Sequence, residues 1–173
     1  MNSKNVNPNN KAAYMDRSAY LSRNLWSGIL FGLGLVAFID GAVFHQLPHW
    51  HHFYDKATNE IGLVSDGFFH AFSWFATVGS LFMVADLRRR SAWRRTRWVG
   101  GIFLGAGGFQ LYDGIVQHKQ MELHQIRYNV NILPYDLVWN ISAVVMIVVG
   151  FILLIRTRSQ SKQAGTIAEN AYE

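Results

Sequence analysis

Four stretches of the 173-residue chain hold apolar residues almost without interruption: Leu25 to Leu47, Gly67 to Leu87, Trp98 to Val116 and Leu137 to Ile155. Each approaches the roughly 20 residues needed to cross hydrocarbon at about 1.5 Å per residue. A water-soluble bundle would show polar and apolar faces in turn along each helix, and these stretches do not. The pattern predicts an all-α integral membrane protein with four transmembrane helices. It divides the chain into a cytoplasmic leader (1–24), two spans with an outer His-rich loop (25–87), an Arg-rich linker (88–97), two further spans with an outer loop (98–156) and a tail (157–173). The leader is expected to be largely disordered, with Tyr14 to Arg23 able to lie as an interfacial helix. It lacks the pattern of a cleaved signal peptide, so the first span is expected to serve as its own address.

The first and third spans repeat one another. Aligned without a gap at an offset of 73, they share Gly28/Gly101, Ile29/Ile102, Gly32/Gly105, Gly34/Gly107, Asp40/Asp113, Gly41/Gly114, Val43/Val116, His45/His118 and His51/His124. One span separates the copies, so both run the same way across the membrane: two parallel two-helix repeats, whose interface is where a site is expected. The repeated glycines predict close approach of the first and third helices.

Charge orients the whole. The leader, the linker and the tail counted from Arg156 hold thirteen of the Lys and Arg residues and the other two loops only three, which predicts cytoplasmic termini and a cytoplasmic linker. The basic balance is then a consequence of topology and does not call for a nucleic-acid partner. The expected partners are the lipid bilayer and a respiratory or metal-handling membrane protein, with a homodimer open as the assembled form.

Ionisable side chains within apolar helices are costly and usually functional. Apart from Asp86 at an inner end, those of this chain gather in one outer layer, which with its two loops also holds all seven histidines. His45, His118, His70, His51, His124 and Asp66 are the candidate metal ligands. Asp40, Asp113, Asp136, Glu122 and Asn140 are candidates for orienting them or relaying protons, and His49 and His52 are auxiliary. Asp66 and His70, like Asp136 and Asn140, are spaced i, i+4 on one helical face. Asp40 and His45 are five apart, about 140° around a straight α-helix. Each Asp is therefore expected either to reach a histidine of the other repeat or to meet its own through a bend at Gly41 or Gly114. If the first helix passes Pro48, His45, His49 and His52 share a face.

Imidazoles and carboxylates without any cysteine suit iron, copper(II), zinc or manganese and disfavour an iron–sulfur cluster. Three functions compete. The first is a transition-metal site doing redox or oxygen chemistry, or supplying metal to a respiratory enzyme; as an enzyme it would be a membrane metal-dependent oxidoreductase. The second is a b-type haem held by His45 and His118. The third is a proton or ion path through Asp40 and Asp113.

The duplicated Asp-Gly-x-x-x-His, Trp50-His51-His52, the Asp66-Gly67-x-x-His70 that opens the second span and the late Leu123-His124 together resemble an uncharacterised family of bacterial four-span membrane proteins known as a domain of unknown function. The resemblance covers approximately Trp26 to Ile155. It implies a bacterial inner-membrane location and implies no activity.

Overall fold

The computed structural model describes the backbone of residues 8–170 and the side chains of residues 16–157. Among these, the chain is helical, with four segments long and apolar enough to cross a membrane: Asp16–Gln46, Asn59–Arg89, Arg95–Gln120 and Leu133–Thr157. Helix α1 (Pro8–Asp40) continues into a π-helical turn, π1 (Gly41–Gln46). Helix α2 (Asn59–Arg89) leads through the Arg-rich linker to α3 (Arg95–Tyr112), which continues into a second π-helical turn, π2 (Asp113–Gln120). Helix α4 spans Leu133–Asn170. Where the sequence predicts an irregular leader and tail, α1 is already helical from Pro8 and α4 runs to Asn170. Residues 1–7 and 171–173 of those segments lie outside the described residues.

Local chemistry sets the ends. Pro48 stands two residues beyond π1, where a helix would need its missing N–H. Helix α2 carries Glu60 in its first turn and Arg88 and Arg89 in its last, each sign complementing the helix dipole. In α4, Pro134 lies in the first turn, where its absent N–H has no intrahelical partner to lose.

Helices α1 and α3 pack on each other, α2 packs on α1, and α4 packs on α3; the α2 and α3 backbones stand apart, with the Phe69 and Phe109 rings meeting between them at 5.9 Å. The buried apolar residues are mostly small, as with Ala37, Ala76, Ala106 and Ala143, while Phe68, Phe75, Phe82, Val138 and Ile141 point outward. This inverts a soluble bundle and suits a lipid surround.

At the α1/α3 seam the glycines are obligatory. A Cβ on Gly28 would run into Trp98 O, and one on Gly101 into Leu25 O. A Cβ on Gly32 would meet Ile102 O, and one on Gly105 would meet Ile29 O. Every one of these collisions has its counterpart 73 positions away. At the outer pairs, Gly34 lies against Ser73 and Thr77, and Gly107 against Ala143 and Ile147. Polar links reinforce the packing: Ser80 Oγ donates to Ser27 O (2.7 Å), and Gln110 Nε2 donates to Trp139 O (2.8 Å) and Ser142 Oγ (2.6 Å).

The linker end is fastened by buried Asn24, whose Nδ2 donates to Ala92 O (2.9 Å) while its Oδ1 accepts from Arg94 N (2.7 Å). Asp86, near the linker end of α2, pairs with Arg23 (2.8 Å), Arg89 (2.6 Å) and Arg90 (3.0 Å).

Gly32→Val should lower the unfolding temperature in detergent sharply, since overpacking a closed seam costs about 1–3 kcal/mol or more. Gly67→Ala is the matched control: its added methyl meets nothing within 4 Å, so thermal unfolding should show no loss.

Candidate metal centre

Straight α-helices would leave Asp40 and His45 on different sides of α1. The chain instead widens at Gly41 into π1, where hydrogen bonds run i to i+5 and residues five apart lie above one another. The same widening occurs at Asp113 and Gly114. His45 Nε2 comes to 3.7 Å from Asp40 Oδ2, and His118 Nε2 to 3.0 Å from Asp113 Oδ2. Each carboxylate thus meets the histidine of its own helix, by the helix bend rather than by reaching across the repeat interface.

Glycine is required at both π turns by their neighbours. A Cβ on Gly41 would lie 2.8 Å from the His70 ring, and one on Gly114 would lie 2.6 Å from Asn140 Oδ1.

After each π turn the chain doubles back instead of extending the helix. His49 and Glu122, again 73 apart, adopt left-handed backbone (φ 51° and 50°), and Trp50 N and Leu123 N then bond back to Phe44 O (3.0 Å) and Gln117 O (2.9 Å). The reversal carries His51 and His124 inward, so neither is a solvated loop residue. It also ends the expected run of His45, His49 and His52 along one face: His49 is exposed, and His52 turns to Asp66.

Two buried groups result. Asp40, His45 and His51 bring ligand atoms within 4.8 Å of one another, and so do Asp113, His118 and His124. All six residues are at most 4% exposed. The groups adjoin through the imidazoles: His45 and His51 rings are 4.5 Å apart, His51 and His124 stack in parallel at 4.7 Å, and His124 and His118 are 4.7 Å apart.

The halves exchange their orienting contacts. His51 Nδ1 donates to Ile126 O (3.0 Å), and His124 Nδ1 donates to Phe53 O (2.9 Å), so each ring is held by the other half's loop. That puts a proton on Nδ1 of both rings and leaves both Nε2 atoms buried and without a hydrogen-bond partner. Burial, followed by the neighbouring His124, His45 and His118, pushes His51 down to about 2, so its ring is neutral. Both ring nitrogens of His45 and of His118 likewise lack a hydrogen bond; their close carboxylate oxygens stand out of hydrogen-bonding alignment. Buried acceptors are rarely left so.

Asp66 fastens the loop that joins π1 to α2. It accepts from His52 Nδ1 (2.7 Å) and Phe53 N (2.8 Å), and its Oδ1 lies 2.9 Å from His45 Nδ1. At His52 burial acts downward, but the hydrogen bonds to Asp66 and Asn59 outweigh it and raise the group. The corresponding Asp136 pairs with Lys119 instead.

The sequence candidates therefore separate. Asp40 and Asp113, read as orienting residues, stand inside the two groups beside His45, His51, His118 and His124. Asp66, read as a ligand, sits behind His45. His70 stands outside both groups, its Nδ1 bonded to Asp66 O of its own helix (2.8 Å). Asn140 Nδ2 bonds to Asp136 O in the same way (2.9 Å), and Glu122 is exposed at the reversal. Sequence reasoning missed Gln117, buried beside His118, although an amide inside an apolar stretch was visible. It also missed the carbonyls of Phe53 and Ile126, which no side-chain pattern marks.

One family model matches the chain, over residues 27–157, more than half of its length; it is described as Predicted membrane protein (DUF2243). No curated protein and no solved structure matches.

Nitrogen-15 spectra of histidine-labelled protein should show His51 and His124 protonated at Nδ1, assigned by the signals lost in His51→Gln and His124→Gln. A bare Nδ1 on both would contradict the carbonyl contacts.

Proposed function

The chain belongs to the DUF2243 family of predicted membrane proteins, and we propose that it holds transition-metal ions in two adjoining centres, Asp40/His45/His51 and Asp113/His118/His124. One observation carries the reading: two buried sets of carboxylate and imidazole, each with converging ligand atoms, in which four imidazoles present nitrogens without hydrogen-bond partners. Metal-binding histidines characteristically donate their other N–H to a carbonyl or carboxylate, as His51 and His124 do here. Three protein ligands per centre leave room for a further ligand, as reactive centres require.

The donor set suits iron, copper(II), zinc or manganese. Burial of every ligand favours ions that reside in the protein over ions passed to a respiratory partner, because release would have to open the loops. Two adjoining centres of this composition support redox or oxygen chemistry. Haem is less well supported, since His51 and His124 already make the ring contacts with His45 and His118 that a porphyrin would need. The Arg-rich linker lies at the opposite end of the spans, which under the positive-inside bias supports centres at the extracytoplasmic face of a bacterial inner membrane and cytoplasmic termini. The matching contacts at an offset of 73 support two parallel repeats about an axis along the membrane normal.

Elemental analysis by inductively coupled plasma mass spectrometry, on protein purified in mild detergent without His-tag or chelator, tests the reading. Native protein should carry one to two transition-metal ions per chain, and His45→Ala/His118→Ala should fall to background; background metal in folded native protein would overturn the proposal.

A further inference from the structure

The two lateral clefts beside the histidines are built alike and furnished differently. Between α1 and α4, the rings of Phe44, Trp50 and Trp139 fill the space, with centroids 5.2 Å apart for Phe44 and Trp50 and 5.8 Å for Phe44 and Trp139. Between α2 and α3, whose backbones stand apart, an apolar cavity of about 550 Å³ stands open, within the size range of small-molecule sites.

Leu33 of α1 contributes to this cavity, and six aromatic rings line it: Phe53, Phe68, Phe69, Phe72, Phe109 and Tyr112. Phe68, Phe72 and Tyr112 are also exposed on the outer surface of the apolar helices, so the mouth opens toward lipid. The inner wall is the back of the histidine cluster. Phe69 stacks on the His45 ring at 5.4 Å, and Phe53 lies 6.2 Å from the His124 ring while its carbonyl accepts from His124 Nδ1.

One lining group is out of keeping with the rest. Gln117 is 4% exposed, and its Oε1 is buried with no hydrogen-bond partner. Its counterpart 73 positions earlier is Phe44, one of the rings that fill the other cleft. The half with the apolar residue is packed, and the half with the amide is open. A buried acceptor without a partner costs free energy unless something donates to it.

We propose that the α2/α3 cleft takes up a lipophilic phenol or hydroquinone from the bilayer, its ring among the phenylalanines and its hydroxyl donating to Gln117 Oε1. An acyl chain would fit the apolar wall and leave Gln117 unpartnered; a water-soluble ligand would find almost no polar lining. The occupant would rest against Phe53 and Phe69, one residue layer from the proposed metal centres. The inference deepens the metal reading by naming the class of molecule that reaches the centres, and its relevance to them rests on that reading.

Calorimetric titration of the full chain in lipid nanodiscs, corrected with empty nanodiscs, compares decylhydroquinone with decylbenzene, on metal-loaded and on chelator-treated protein. Native protein should bind decylhydroquinone roughly five- to tenfold more tightly than decylbenzene, the scale of one hydrogen bond. Gln117→Leu should abolish that preference. Gly108→Leu places a side chain where an added Cβ meets nothing within 4 Å and reproduces the Leu35 of the other half; it should weaken both probes at least tenfold with native metal content. No binding to native protein, equal affinity for the two probes, or indifference to Gly108→Leu would overturn the proposal. Metal counted in the same samples separates the two readings, since probe binding without metal would leave the cleft standing and remove the centres.

Discussion

The backbone-to-backbone approach of α1 and α3 is the constraint on which the remainder of the molecule depends. Gly28, Gly32, Gly101 and Gly105 leave no room for a side chain between these helices. Lipid gives little hydrophobic reason for helices to associate, so close packing and interhelical hydrogen bonds must hold them. With the helices in contact along this seam, the π turns that follow are brought face to face, and the histidines beyond them have nowhere to go but toward one another.

The π turns convert that proximity into chemistry. An extra residue in a helical turn weakens local hydrogen bonding, which is why such turns are scarce and concentrate at functional sites. Here each one brings an Asp and a His five positions apart together and aims the chain into a left-handed reversal at His49 or Glu122. The reversal buries His51 and His124. Without the widened turn Asp40 and His45, or Asp113 and His118, would lie about 140° apart around a straight helix.

Much of this was legible in the sequence. The four spans follow from unbroken apolar stretches, and the gapless recurrence of Asp, Gly and His marked the residues that end in the two groups. The seam was legible because glycine spacing has one physical meaning where helices must touch. The π turns were not: helical periodicity presumes 3.6 residues per turn, and a single widened turn rotates everything beyond it. Periodicity alone sets Asp40 and Asp113 about 140° from the histidines of their own helices, and the face that His45, His49 and His52 would share in a helix continued past Pro48 does not form, because the chain reverses at His49. His70 and Asn140 were singled out for being polar at a span's outer end, yet each bonds to its own helix. The difference between the clefts turns on Phe44 against Gln117 and Trp139 against Phe69, substitutions whose effect is visible only once the helices are in place.

The exchanged carbonyls set a limit on what either half can be. His51 is oriented by the main chain at Ile126 and His124 by the main chain at Phe53, so a chain consisting of the first half alone would have an imidazole and no acceptor to set its tautomer. Only a second copy, docked through the same glycine seam, could offer one. The smallest self-sufficient form of this architecture is therefore a symmetric pair, and joining the pair into one polypeptide is what frees its two flanks to differ: one can be sealed with rings while the other stays open, a division of labour closed to identical subunits.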